Sequence, residues 1–270
     1  MRFTVIINNK GDNTLLNEHG FSLFVENKNF NILFDTGKSE KTFDNFIKLK
    51  KRVKNIDYIV ISHGHYDHIG GLYKFLSSNP KINIILSDKI FIPKYKKVED
   101  RYIFIGSPVV YENFLEIGGR FIFFQKYLRL NNSFFITHIL ERNRKEEEYF
   151  YIKKGEDFLP DYFEDEIILI IKKDDKINII SGCTHNGLKS IIDTAITVTG
   201  IKKINSIIGG FHLSKLSDNK IRDIALSIKD YEIKNIYTYH CTGENGYKIL
   251  KENLKRVNIY SGNTGDIIEI

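Results

Sequence analysis

The sequence predicts an α/β fold in which two sheets are sandwiched between helices, in one domain spanning residues 1–270. Short β-branched and aromatic runs alternate with segments whose apolar residues recur at helical spacing. The same strands-then-helices order returns in the second half of the chain, after Pro160. At 270 residues and 42% hydrophobic, the chain is long enough to bury a substantial core.

Taken in order, "FTVIINN", "FSLFVEN" and "FNILFDTG" read as sheet strands separated by the turn signals "NKGDN" and "NKN". "KSEKTFDNFIKLKK" spaces Phe43, Phe46, Ile47 and Leu49 as a helix does, with Ser39 as its cap. A buried strand "IDYIVIS", a helix through "GLYKFLSS" and a strand "INIILS" follow. From about 101 to 160 the pattern is mixed, with strand-like "RFIFFQKYL" and "SFFITHIL" and the charged "ERNRKEEE", a solvated turn. This segment reads as an insertion between the halves. Beyond it come strand "EIILIIKK", strand "INIISG", helix "NGLKSIIDTAIT", strand "INSIIGG", helix "DNKIRDIALSIKDY", strand "NIYTYH", helix "ENGYKILKENL" and two closing strands.

The formal charge is +6 and the pI about 9.0, but the lysines are scattered and often sit beside acids, as in "KRVKNIDY". No single stripe of phosphate-tracking charge results, which points to a small anionic substrate in preference to nucleic acid. No apolar run approaches the roughly 20 residues that span a bilayer, and the apolar part of the N-terminal segment is too short for a signal peptide. The expectation is a cytoplasmic protein without a membrane partner. Cys183 and Cys241 are the only two cysteines, too few for a disulfide framework in a chain of this length.

Three of the eight histidines fall within six residues of "ISHGHYDHIGGL", as His63, His65 and His68, with Asp67 among them. They follow the predicted strand "YIVIS". Cys183 and His185 follow "INIISG", His212 follows "INSIIGG", and His240 with Cys241 follows "NIYTY". Loops at strand ends project from one edge of a layered sheet, so residues distant in sequence converge there. A lone histidine at such a place is most simply structural; six at four equivalent places are not. In an extended segment His63, His65 and Asp67 share a face, and a turn after Asp67 brings in His68. The two imidazoles offer nitrogen to one divalent ion, and Asp67 with His68 offers oxygen and nitrogen to a second, a mixture that suits zinc, iron or manganese. The glycines around them let the backbone turn tightly.

The pattern HxHxDH at His63, His65, Asp67 and His68, after an apolar strand and before a glycine-rich helix start, resembles the metal signature of the metallo-β-lactamase superfamily. "EHGFSLFVE", "FDTG", "DYFEDE", "SGCTHNG", "IGGFHL" and "YHCTG", in that order, are similar to the branch containing the 7,8-dihydropterin-6-methyl-4-(β-D-ribofuranosyl)-aminobenzene-5′-phosphate synthases and related uncharacterised metal-dependent hydrolases. The resemblance implies a four-layer αββα sandwich and two bound divalent ions, zinc first, with manganese, iron or magnesium as alternatives. It implies His63 and His65 as ligands of the first ion, Asp67 and His68 of the second, with His240 completing the second site and Asp67 acting in catalysis. The slot of the usual bridging aspartate reads Gly182-Cys183, so either Cys183 supplies a thiolate or His185 reaches in. His185 is the preferred ligand, because imidazole needs no thiol deprotonation, and Cys183 then supports it from behind. Asp35 of "FDTG" matches the aspartate that supports the metal loop. His212 matches a proton-donating or phosphate-holding histidine, and a histidine that only supports a ligand is its alternative role. His19 is a substrate-binding candidate. Asp165 and Glu166 are supports by resemblance, while their residue pattern alone reads as a solvated turn. His138 is structural.

These readings favour a metal-dependent hydrolase, or a transferase displacing pyrophosphate, acting on a small phosphorylated, pterin-type substrate. A metal-dependent phosphodiesterase or nuclease is the alternative. A flavodiiron-like redox module would want a carboxylate where His65 stands and a fused flavin domain.

Overall fold

The computed structural model describes residues 1–140 and 149–270, so the charged turn expected at "ERNRKEEE" lies outside the described residues. The chain divides into two compact units. The first takes its described residues from Met1–Phe124, Lys145–Asp165 and Asn263–Ile270, and the second from Gln125–Arg144 and Glu166–Gly262.

In the first unit, β1 (Arg2–Ile7), β2 (Ser22–Glu26) and β3 (Ile32–Phe34) pair antiparallel. Parallel to β3 the sheet continues through β4 (Tyr58–Val60), β5 (Asn83–Leu86) and β8 (Arg120–Phe123). At its other edge β18 (Ile267–Glu269) pairs with β1. The central strands are buried along most of their length, which is why they read as continuous apolar runs and not as alternating ones. Helices α1 (Lys41–Lys48), α2 (Tyr66–Ile69), α3 (Leu72–Ser78) and α4 (Tyr111–Glu116) accompany this sheet. Phe46 of α1 meets Phe24 of β2 and Phe75 of α3 edge to face, at centroid distances of 5.0 and 5.6 Å, a favoured arrangement of aromatic quadrupoles.

The expected Ser39 cap is present: its hydroxyl oxygen accepts the Lys41 N–H at 3.3 Å, while Glu40, next in the chain, makes no side-chain capping bond. The Glu18 carboxylate accepts from the Ser39 hydroxyl and from the backbone N–H groups of Lys38 and Ser39, so a charged acceptor secures this turn.

A second, smaller sheet in the same unit joins β6 (Lys94–Val98), β7 (Arg101–Phe104), β11 (Phe150–Lys154) and β12 (Asp157–Pro160), in the order β12-β11-β6-β7. "RFIFFQKYL", read as one strand, is two: β8 joins the large sheet of the first unit, whereas β9 (Tyr127–Arg129) joins the sheet of the second. Strand propensity favours an extended backbone in both halves and carries nothing about which neighbour pairs with it.

The second unit has a sheet in which β9, β10 (Phe134–His138), β13 (Ile167–Lys173) and β14 (Lys176–Ser181) pair antiparallel. From β14 onward β15 (Ile204–Gly210), β16 (Ile233–Tyr239) and β17 (Asn258–Ser261) are parallel. Parallel neighbours need crossovers, and α5 (Leu188–Thr199), α6 (Asp218–Ile228) and α7 (Gly243–Asn253) supply them. An isoleucine-rich core joins these helices to the sheet through Ile170, Ile179, Ile191, Ile207, Ile221 and Ile236. Because β14, β15 and β16 run the same way, the residues that follow Ser181, Gly210 and Tyr239 all leave one edge of this sheet.

Candidate metal centre

The histidine stretch of the first unit leaves the C-terminal end of β4. His63 and His68 are fully buried, and His65 and Asp67 nearly so. The extended run ends earlier than its residue spacing suggests. His65 has extended backbone angles and caps α2, so Asp67 lies in the first turn of a helix and does not continue the face shared by His63 and His65. His68 follows it in the same helix. Gly64 is needed for close approach, since a Cβ there would run into the Ile90 carbonyl oxygen and lie 3.1 Å from Lys94 Cε.

Asp35 organises this cluster. It follows β3 with a left-handed backbone (φ 58°), and its carboxylate is fully buried. Oδ1 accepts the Ser62 N–H at 2.7 Å; Oδ2 accepts the Ser62 hydroxyl at 2.8 Å and His68 Nδ1–H at 2.6 Å. The Ser62 hydroxyl has one hydrogen, which goes to Asp35, so its contact with His63 Nδ1 at 2.9 Å is one in which the imidazole donates. Both His63 and His68 are thereby set with Nδ1 protonated and a lone pair on Nε2. His63 Nε2 lies 3.1 Å from His65 Nδ1. Two nitrogens on one tetrahedral zinc, each at about 2.1 Å, stand roughly 3.4 Å apart, so this pair fits a divalent ion with little movement. Burial, then the neighbouring His68 and His65, push the His63 pKa well below its ordinary value and keep the ring in the neutral form that ligates. Asp67 Oδ2 lies 3.8 Å from His68 Nε2 and 3.1 Å from Nε2 of the half-exposed His19.

Beside Asp165, which the resemblance names as a support, this loop is held by two residues that sequence reasoning missed, Lys94 and Asp161. Lys94, 2% exposed, places Nζ 2.8 Å from Asp161 and 2.9 Å from Asp165. The second oxygen of Asp165 accepts the Gly64 N–H at 2.7 Å, between the two histidines of HxH. Burial raises the Asp161 pKa and opposes the charge of Lys94, but the two carboxylates outweigh it and hold the Lys94 pKa above its ordinary value. Asp161 also accepts the N–H of Phe163, and the rings of Phe150 and Phe163 lie 5.3 and 5.8 Å from that of His65.

Asp165 is therefore not in a solvated turn, and neither is Glu166. Within the second unit the buried Glu166 carboxylate accepts the backbone N–H groups of His185 and Asn186 at 2.6 and 2.8 Å and the Asn186 side-chain amide at 2.8 Å. It fixes the loop after β14. His185 is buried, and its ring stands 4.4 Å, centroid to centroid, from that of the half-buried His212. Thr184, His212 and His240 all take left-handed backbone angles, of 58°, 47° and 48°. Strained residues of this kind concentrate at functional sites. Cys183 and Cys241 are buried free thiols with Sγ atoms 3.2 Å apart, and Cys241 Sγ also accepts the His212 N–H. Burial acts to raise the Cys241 thiol, but its hydrogen bonds with Cys183 and His212 and the nearby His240 lower it well below the usual thiol range. Cys183, His212 and Cys241 bring ligand atoms within 4.8 Å of one another. His138 is half-buried in β10 and pairs with Ile167.

A buried cluster of imidazoles and carboxylate at strand ends, with tautomers set by a buried aspartate, is the donor set of a candidate metal centre in an α/β protein. Residues 17–182 match the Metallo-beta-lactamase superfamily. The chain is 31% identical over 253 residues to the 7,8-dihydropterin-6-methyl-4-(β-D-ribofuranosyl)-aminobenzene-5′-phosphate synthase of Methanocaldococcus jannaschii, covering 88% of this chain and 85% of that protein. It is also 31% identical over 270 residues to an uncharacterised protein of the same organism, covering 98% and 99%. The crystal structure of a metal-dependent hydrolase of the β-lactamase superfamily matches with a TM-score of 0.85 and 28% identity, over 100% of this chain and 99% of that one. The chain belongs to the metallo-β-lactamase superfamily and has its fold. Among the described residues, no helix is long and apolar enough to cross a membrane.

Replacing Lys94 by Met leaves two buried carboxylates without their cation and is expected to cost about 3–5 kcal/mol in urea denaturation; an unchanged midpoint would show that the ion pairs carry no weight. His63 gives a pH signature. Its pKa is lowered in the folded chain, so the unfolded chain binds the proton first as the pH drops below the ordinary value of 6.5. Stability is full above that value and declines towards the depressed folded pKa, by about 1.4 kcal/mol per pH unit for this one group. Denaturation of metal-free protein at several pH values from about 7.5 to 5.5 should show a slope shallower in His63→Asn by about half a proton averaged over that range and by nearly one at its acid end, and equal slopes in the two proteins would contradict this.

Proposed function

We propose that the chain is a metal-dependent hydrolase or transferase that acts in the cytoplasm on a small phosphorylated, pterin-type substrate through two divalent ions. The observation that carries this reading is the hydrogen-bond chain from Asp35 through Ser62 to His63 and directly to His68, which prepares two Nε2 lone pairs in a member of this superfamily. The donor set of imidazoles and carboxylate suits zinc first, with manganese, iron or magnesium as alternatives. Following the family resemblance, His63 and His65 are assigned to one ion and Asp67 and His68 to the other, with His185 and His240 completing the set. Cys183 is left as the neighbour of His185. When bound, such ions lower the pKa of water and offset charge on phosphoryl oxygens.

The chain's own residues do the rest. Asp35 keeps His63 and His68 in one tautomer, and Asp165, Lys94 and Asp161 hold the loop that presents His63 and His65. His212, on a strained turn after the Gly209-Gly210 end of β15, donates a proton to the leaving oxygen or holds a phosphate. His19, half-exposed beside Asp67, is assigned to bind an anionic part of the substrate. Identity to the pterin-type synthase supports the substrate class, and the two buried free thiols are in keeping with a reducing compartment.

Assaying the metal-loaded protein against phosphomonoesters, phosphodiesters and pterin pyrophosphates should show turnover of a pterin pyrophosphate or a small phosphate ester; activity confined to RNA would replace this reading with that of a nuclease. Asp67→Ala should lower bound metal from two ions per chain to one and remove most activity while the fold persists, and two ions still bound would refute its assignment. His212→Ala should reduce turnover roughly 100-fold or more with metal content unchanged. Full recovery of that variant in excess metal would instead make His212 a support for a ligand, whose loss weakens metal affinity about 10- to 100-fold.

A further inference from the structure

The reading above leaves both cysteines without a chemical role, yet the second unit is built so that they meet. Cys183 follows β14 and Cys241 follows β16, and β15 lies between those strands. Strands two apart in a sheet are separated by about 9.6 Å, farther than the roughly 4.4–6.8 Å between the Cα atoms of a disulfide. The loops close that gap by bending over the end of β15. The Gly210 N–H donates to the Gly182 carbonyl at 2.9 Å, and the Leu213 and Ser214 N–H groups both donate to the Cys241 carbonyl at 3.1 Å. The sulfurs then stand 3.2 Å apart, and Cys241 Sγ is only 3.8 Å from the Cys183 carbonyl oxygen. Gly210 keeps the space for this, because a Cβ there would lie 2.6 Å from the Gly182 oxygen and 2.7 Å from Cys241 Sγ. A disulfide needs its sulfurs at about 2.0 Å, a further approach of about 1.2 Å that small side-chain rotations can supply.

We propose that Cys183 and Cys241 form a dithiol that a peroxide oxidises to an intramolecular disulfide and that a dithiol reductant restores. Cys241 Sγ, which accepts the His212 N–H, attacks one peroxide oxygen; the O–O bond breaks, water leaves and a sulfenic acid remains on Cys241. Cys183 Sγ then attacks that sulfur and displaces a second water. Two thiols and one hydrogen peroxide give one disulfide and two waters, and the two electrons lost by sulfur are those gained by the O–O bond. The disulfide covalently ties the loop of His185 to the loop of His240 and closes a loop between positions 58 apart in sequence. Oxidation therefore acts on the segments that carry the second unit's candidate ligands.

The test treats the full-length protein, as purified, with hydrogen peroxide and follows intact mass and denatured thiol titration, neither of which depends on the metal assignment. The expected result is a mass lower by two hydrogens, loss of both thiols, recovery of both with dithiothreitol, and a melting temperature raised by several degrees because the unfolded chain is cross-linked. In Cys183→Ser, Cys241 should gain oxygen or remain a thiol, with no mass decrease. Oxygen added to one sulfur of the wild type while the other stays alkylatable would overturn the proposal. So would disulfide-linked dimers in place of the internal bond.

Discussion

One buried carboxylate constrains the first unit more than any other group. Asp35 sits at the end of β3 in a left-handed conformation, and its two oxygens take hydrogen bonds from the backbone and hydroxyl of Ser62, at the end of β4, and from the ring of His68 in α2. Three elements are thus referred to a single side chain. A carboxylate so fully buried is tolerated because its lone pairs are occupied by donors; deprived of them, it would cost several kcal/mol. The same bonds decide the proton positions on two imidazoles. Histidine chemistry depends on which ring nitrogen carries the proton, so Asp35 converts a structural necessity into a chemical preparation.

The two units solve the loop problem alike. Asp165 and Glu166 are adjacent in sequence, and each spends its carboxylate on backbone N–H groups of a loop that carries histidines: Gly64 in the first unit, His185 and Asn186 in the second. Charge-assisted bonds to backbone amides hold a loop more firmly than neutral ones, and they act on the main chain without restricting which side chains the loop presents. Lys94 complements Asp165 in the first unit, so the buried charge there is compensated as well as hydrogen-bonded.

The local chemistry was legible in the sequence because it depends on local spacing. Histidines at 63, 65 and 68 with Asp67, following an apolar run, announce a candidate ligand cluster whatever the sheet around them, and the resemblance of "FDTG" picked out Asp35. The alternation of strands and helices in the second half was likewise readable from apolar periodicity. What stayed hidden depends on partners distant in sequence. Lys94 looks like any other lysine of "IPKYKKVED", and only the fold buries it between Asp161 and Asp165. "DYFEDE" reads as a polar turn because nothing local reveals that its last two acids face backbone donors. The start of α2 after His65 follows no capping residue that sequence rules recognise, since the capping position has no side-chain bond. The meeting of Cys183 and Cys241 needs both parallel strands and the glycine between them.

The readiness of His63 and His68 to bind a metal rests on the tautomers that Asp35 imposes. Long-range nitrogen–proton correlation spectra of the histidine rings, recorded while zinc is added to the metal-free protein, read them directly. The prediction is that His63 and His68 are protonated on Nδ1 before metal, and that their Nε2 resonances move on binding while the Nδ1 protons remain. His68 protonated on Nε2, or Nε2 resonances of both rings unmoved by zinc, would contradict it.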